Sequence, residues 1–181
     1  ISFGAAACHV SLVNRGGEIA SCSIDHAGTW INEQLASENS QYVWDAQGRK
    51  YLDSNTMARW KSSDAARLDE VGPTDRERSL SRLYAELLKQ IATTGGDAFR
   101  ETLLHPGSWP AMTVVACGGP TRIRGFVPCL AQSIREADWP VRVKQIRLAE
   151  DSDLTIARGC LISAELEART LETETALHAA A

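Results

Sequence analysis

The sequence predicts an α/β fold, a mixed sheet flanked by helices with a mainly helical segment inserted into it. Three observations predict it. Thr113-Val114-Val115-Ala116-Cys117 is a strand-like apolar run that breaks at Gly118-Gly119, and Ile123, Phe126, Val127, Leu130, Ala131 and Ile134 then follow at helical spacing. Residues 1–25 alternate with a period near two and carry hairpin turns rather than a crossover helix. Between these regions, residues from about 41 to 106 change character and read mostly as helices.

Composition narrows the function classes. With 181 residues, 44% hydrophobic and 23% charged, the chain suits one domain that buries a real core. A net charge of −4 and a pI near 5.6 offer no attraction to phosphate backbones, and no stretch concentrates Lys and Arg, so nucleic acid is not an expected partner. No run approaches the roughly 20 apolar residues that span a bilayer, and the N-terminus has no signal-peptide pattern. Cys8, Cys22, Cys117, Cys129 and Cys160 form no CxxC pair, and several sit among apolar neighbours, which favours a reducing, cytoplasmic setting. His9, His26, His105 and His178 lack metal-ligand spacing, and no structural metal is expected. Ile1 lies inside a strand-like run, which points to a piece of a longer protein or a separately expressed half.

Taken in order, Ile1 to Asp25 reads as strand, turn, strand, turn, strand, with Asn14-Arg15-Gly16-Gly17 as the second connection. A helix beginning near Thr29 presents Trp30, Ile31 and Leu35 to the sheet. Tyr42 to Leu52 is a small hairpin around Gln47-Gly48, and Ser54 or Asn55 caps a helix through Met57, Trp60 and Lys61. Asp69 to Asp75 is a polar, turn-forming connection expected to be mobile. Arg78 to Ile91 is strongly amphipathic, Gly95-Gly96 stops it, and Asp97 to Leu104 adds a short helix. His105 to Pro110 breaks the chain before its return to the sheet. Strands are expected at Ala111 to Cys117 and Val141 to Ile146. Asp151-Ser152-Asp153 caps a last helix whose Ala157, Gly159 and Cys160 allow close approach to the sheet, and a weak Glu-, Thr- and Ala-rich tail follows Glu167.

Gly118 and Gly119 would let a flat ligand lie against bare backbone, with a side chain at either position filling that space. Taken alone, Gly-Gly is also an ordinary tight turn. The run Gly118-Gly119-Pro120-Thr121-Arg122-Ile123 resembles the adenosine-binding motif of the actin-like ATPase superfamily, in the version of the heat-shock chaperones, which carry Ser where this chain has Pro120. The first turn, Ser2 to Val10, resembles the superfamily's second phosphate motif, whose backbone amides cradle phosphate.

The resemblance implies a ribonuclease-H-like five-stranded mixed sheet, the second lobe of that superfamily, over residues 1–40 and 107–181, with 41–106 as the inserted, mainly helical subdomain. It further implies that Gly4, Ala5 and Ala6 meet phosphate, that Gly118, Gly119 and Pro120 approach the adenosine, and that Arg122 lies along the adenine face. The implied ligand is ATP or ADP, with Mg2+, in the full-length protein. The implied partner is the first lobe or another protein chain.

The departures bear on catalysis. Ser2 stands where the family has the Asp that organises metal and attacking water, and Ala7 stands where its Thr reaches phosphate, so hydrolysis should suffer more than binding. Two family glycines have become Ala5 and Ala6, whose methyl groups crowd the phosphate turn. Three readings follow. One is a nucleotide-responsive chaperone-like or cytoskeletal protein with weak or lost hydrolysis. Another is a nucleotide-free pseudo-ATPase scaffold. The third is a sugar-kinase-type member, for which no sugar site or catalytic base is visible.

Overall fold

The computed structural model describes residues 1–70, 72–103, 109–151 and 154–179, with side chains described up to residue 169. Its elements run β1 (Ser2–Phe3), β2 (Cys8–Asn14), β3 (Gly17–Ile24), α1 (Gly28–Glu38), β4 (Tyr42–Trp44), β5 (Lys50–Leu52) and α2 (Ser54–Lys61). They continue as α3 (Asp75–Thr102), β6 (Met112–Ala116), a 3-10 turn over Gly119–Arg122, α4 (Phe126–Glu136), β7 (Val143–Leu148) and α5 (Thr155–Ala179).

Alternation makes β1, β2 and β3 an antiparallel meander in which Cys8, Val10 and Leu12 are buried and His9, Ser11 and Val13 are exposed. Arg15 and Gly16, with φ of 51° and 82°, supply the two left-handed positions of a type I′ turn between the paired Asn14 and Gly17. β6 and β7 pair in parallel. β1 joins the two sheets, because Ser2 bridges Cys117, the Phe3 amide donates to the Cys117 carbonyl at 2.8 Å, and the Cys117 amide donates to the Ile1 carbonyl at 3.0 Å. The strands therefore lie in the order β3-β2-β1-β6-β7, the mixed five-stranded sheet expected from the sequence. β7 lies two residues further along the chain than expected.

α3 corrects the expectation of a shorter helix. It runs for 28 residues, opened by a capping box in which the Thr74 side chain and Glu77 bond each other's backbone amides. Gly95 and Gly96 do not stop it. Instead they let it pass close to its neighbours, since a Cβ on Gly95 would meet Val10 Cγ1 at 3.3 Å and one on Gly96 would meet Trp139 Cδ1 at 3.1 Å. The local helix cost of about 1 kcal/mol per glycine is offset by that approach, and the Trp139 indole donates to the Ala92 carbonyl at 2.7 Å. Leu80, Leu83, Tyr84, Leu87, Leu88, Ile91 and Phe99 are buried as α3 packs on β2, β3 and α4.

Other local expectations shift in the same way. α1 buries Ile31 and Leu35 mainly against α2 and α3 rather than the sheet, and Trp30 is half-buried with its ring stacked on His26 at 4.9 Å. α2 is capped by Asp53, whose carboxylate accepts the Thr56 amide at 3.0 Å. The connection after α2 is tied down: the Leu68 amide donates to the Arg124 carbonyl at 2.8 Å, and Arg124 pairs with Asp69 at 2.6 Å. Val71 and residues 104–108, where the break at His105 was expected, lie outside the described residues, as do Ser152 and Asp153 of the expected cap.

α5 departs most from expectation. Asp151 holds its start, accepting the Thr155 hydroxyl at 2.7 Å on its carbonyl and the Arg158 guanidinium at 3.1 Å on its carboxylate. Beyond that first turn the helix lies off the sheet, with Leu154, Ile156, Leu161, Ile162 and Leu166 all more than half exposed and nothing within 4 Å of a Cβ built on Gly159. Replacing Leu161 and Ile162 by Ala should therefore change the unfolding free energy of this chain by less than about 1 kcal/mol, read by urea denaturation of both forms.

Candidate functional site

Parallel strands place their carboxyl ends on one edge of a sheet, where loops from different strands can meet around a ligand. β1 ends there in Gly4 to Ala7, and β6 ends there in Gly118-Gly119. The first turn closes through the Gly4 amide donating to the Ala7 carbonyl at 2.9 Å. Its outward carbonyls hold the start of α1, because the Gly28 amide donates to Gly4 at 3.2 Å and the Thr29 amide to Ala5 at 2.8 Å. The amides of Ala5 and Ala6 make no hydrogen bond among the described residues.

The two glycines of the second turn have different jobs. Gly118 has φ 105° and ψ 162°, a conformation nearly confined to glycine, and a Cβ there would fall within 2.8 Å of the Phe3 carbonyl carbon. The space expected to receive a ligand at Gly118 is therefore filled by β1. Gly119 has nothing within 4 Å of its Cβ position, so a side chain there would project into open space.

That space is a cleft of about 450 Å³ lined by Ser2, Phe3, Gly4, Ala5, Gly28, Thr29, Asn32, Ala58, Lys61, Ser62, Gly118, Gly119, Pro120, Arg122 and Ile156. A second hollow of about 320 Å³ shares Lys61, Ser62, Gly119 and Arg122 and adds Ser63, Asp64, Ala66, Tyr84, Ile123 and Arg124. The structure thus brings Gly4, Ala5, Gly118, Gly119, Pro120 and Arg122 to one place. Ala6 is exposed at the tip of its turn and lies outside the lining, and the half-buried Ala7 lies outside it too. Ser2 lines the cleft, and among the described residues no carboxylate lines it; Asp64 belongs to the further hollow. The described residues hold no cluster of three or more His, Cys, Asp or Glu suited to a metal ion.

The second turn is supported from below by aromatic rings. Phe126 packs edge-on against Phe3 at 5.0 Å and against Tyr84 at 6.4 Å. The buried Tyr84 hydroxyl donates to the Pro120 carbonyl at 3.1 Å, and burial raises the Tyr84 pKa, so the phenol stays protonated as a donor. Tyr84→Phe keeps the ring but leaves the Pro120 carbonyl short of a partner. It should lower the unfolding free energy by about 1–3 kcal/mol in urea denaturation.

Lys61, Asn32, Gly28 and Tyr84 are site residues that the motifs did not point to. Lys61 ends α2 and donates from Nζ to the Gly28 carbonyl at 3.2 Å, and burial pushes its ammonium down to about 8. Gly28 sits where a Cβ would meet the Gly4 carbonyl oxygen and Pro120 Cγ, each at 3.3 Å, so it lets both turns and α1 converge. Asn32 Oδ1 is shut off from solvent and has no hydrogen-bond partner among the described residues. A polar residue on an apolar helix face was the available signal for Tyr84 and Asn32, whereas nothing in the spacing separated Lys61 from a solvated helix end. Cys8 behaves as the small hydrophobe expected, buried with its thiol pushed up to about 12. No described helix is long and apolar enough to cross a membrane.

Among solved structures, the ethanolamine utilization protein EutJ from Carboxydothermus hydrogenoformans is similar over 84% of this chain and 44% of its own, with 12% identity and a TM-score of 0.55. A non-polymerising mutant of MamK bound to AMPPNP is similar over 91% of this chain and 53% of its own, with 15% identity and a TM-score of 0.60. The fold is that of actin-like ATPase domains, and this chain spans about half the length of either structure. No curated protein matches the sequence. A protein-family model described as Volactin matches residues 1–164.

Proposed function

The chain belongs to the Volactin family, and from that premise we propose that it binds an adenine nucleotide, ATP or ADP, in the cleft between the Gly4-Ala5 turn and the Gly118–Arg122 turn. The observation that carries this reading is the convergence of two distant turns, 114 residues apart at Gly4 and Gly118, on one cleft. The unspent Ala5 amide in the cleft, with that of Ala6 next to it at the exposed tip of the turn, suits phosphate, the open Cβ position at Gly119 suits a flat base, and Arg122 suits its face. MamK, the fold neighbour, holds AMPPNP in its solved form. In this reading β1–β3, β6 and β7 with α1, α3 and α4 form the body of the lobe, and the β4–β5 hairpin with α2 forms the smaller unit that brings Lys61 to the ligand.

The residues present fit a nucleotide better than they fit its metal. Mg2+ bound with the nucleotide would screen phosphate charge, but among the described residues no carboxylate lines the cleft beside Ser2 to organise it. Turnover is therefore slow or absent, and the protein acts as a nucleotide-responsive cytoskeletal, regulatory or chaperone-like switch. The exposed apolar side chains of α5, with Ile156 at the cleft itself, support a protein partner over that face, either a first lobe or another chain. Calorimetry of the intact protein with ATP and magnesium tests the binding. Heat with a one-to-one stoichiometry is expected, and no detectable heat would favour the nucleotide-free scaffold. Ser2→Asp should raise ATP turnover in a phosphate-release assay, and brisk hydrolysis by the wild type would overturn this account of Ser2.

Lys61 gives the binding a pH dependence with a definite sign. Its ammonium is charged below about pH 8 in the folded chain and keeps its proton to higher pH when unfolded. Without ligand, the unfolded state therefore holds more protons above pH 8, and this group makes stability rise with pH there. An anionic ligand favours the charged form, so affinity for ATP should be greatest below pH 8 and fall as pH rises above it. Calorimetric titrations from pH 7 to about pH 9.5 check this, with Lys61→Met expected to flatten the profile.

A further inference from the structure

We propose that Asn32 is the residue through which the cleft recognises the sugar hydroxyls of a ribonucleotide, an inference that rests on the nucleotide reading above. Asn32 lies four residues after Gly28 on α1, so it stands one helical turn above the point where the two glycine turns meet. It lines the same cleft as Gly4, Ala5 and Lys61. Its carboxamide makes no hydrogen bond to the protein among the described residues, and Oδ1 is shut off from solvent. A polar atom in that position is costly unless something supplies its partner, and polar groups left orphaned at a cleft wall point to a ligand. A half-turn of the carboxamide exchanges its oxygen and nitrogen, so a hydroxyl in the cleft can meet either an acceptor or a donor.

The position selects the part of the ligand. A nucleotide with its phosphates at the Ala5 turn and its base over Gly119 and Arg122, in the stretch that the two hollows share, has its sugar in the part that belongs to the first cleft alone. Asn32 lines that part and not the second hollow. The sugar carries vicinal hydroxyls, each able to donate and accept, which match a carboxamide with both groups unspent. A base edge would have to turn away from Arg122 to reach Asn32, and the phosphates are held away from it by the amides of the first turn.

The test compares ATP, 2′-deoxyATP and 3′-deoxyATP by calorimetry on the intact protein, in wild type and in Asn32→Leu, which keeps the volume while removing both polar atoms. The wild type should bind ATP roughly five- to tenfold more tightly than at least one deoxy analogue. Asn32→Leu should bind all three alike, at the level of that weaker analogue. Equal affinity of the wild type for all three overturns the role of Asn32 while leaving the nucleotide reading in place, and this arm needs no variant to fold. Retained discrimination in Asn32→Leu also overturns it. No binding of any of the three overturns the nucleotide reading and this inference with it.

Discussion

Gly119→Val should abolish binding of ATP to the intact protein, weakening it by at least about 100-fold, while leaving the fold unchanged. The new isopropyl group meets no protein atom, because nothing lies within 4 Å of the Cβ position. It instead occupies the space shared by both hollows, between Lys61 and Arg122. A ligand lying against bare backbone at that point would have to move by the thickness of a side chain, and displacements of that size remove most of the favourable contacts of a bound base. Calorimetry gives the affinity, and a circular dichroism spectrum and urea midpoint matching the wild type show that the effect is local. Undiminished binding would place the ligand elsewhere on the protein.

Gly118→Ala should do the reverse and unfold the protein at modest denaturant concentrations, with a loss of about 3–5 kcal/mol in unfolding free energy. Two effects add here. The backbone conformation at φ 105° and ψ 162° is strained for any residue with a Cβ, and that Cβ would press into the Phe3 carbonyl. The neighbouring amides cannot yield cheaply, because Phe3 and Cys117 are tied by the hydrogen bonds that join β1 to β6. Moving β1 away would split the sheet between its antiparallel and parallel halves. Urea denaturation of the two proteins measures the difference, and a loss below about 1 kcal/mol would show that the turn relaxes without disturbing the sheet. Together the two variants separate a glycine required by the fold from one required by the site.

The same contrast marks what could be read from residue order. Alternation in residues 8–14 and 17–24, with Asn14 to Gly17 between them, determined the meander, because period-two burial and a left-handed turn are local properties of the chain. The apolar run ending in Gly118-Gly119 and the periodic residues from Phe126 determined a strand, turn and helix for the same reason. Residue types were equally legible in the losses: Ser2 supplies no carboxylate whatever its surroundings.

Long-range contacts decided the rest. Gly95-Gly96 has the local character of a helix stop, yet its missing side chains let α3 continue past Val10 and Trp139, a gain that exists only once the sheet is folded. The last helix has an apolar pattern that suggests packing on the sheet, but the chain places Leu161, Ile162 and Leu166 in the open, since a pattern specifies a face and not its partner. Lys61, Asn32 and Tyr84 are separated in sequence from Gly4 and Gly118 and have no motif of their own. They converge on the cleft because α1, α2 and α3 pack together and run to the carboxyl edge of β1 and β6, a geometry set by burial over the whole domain rather than by any short stretch of it.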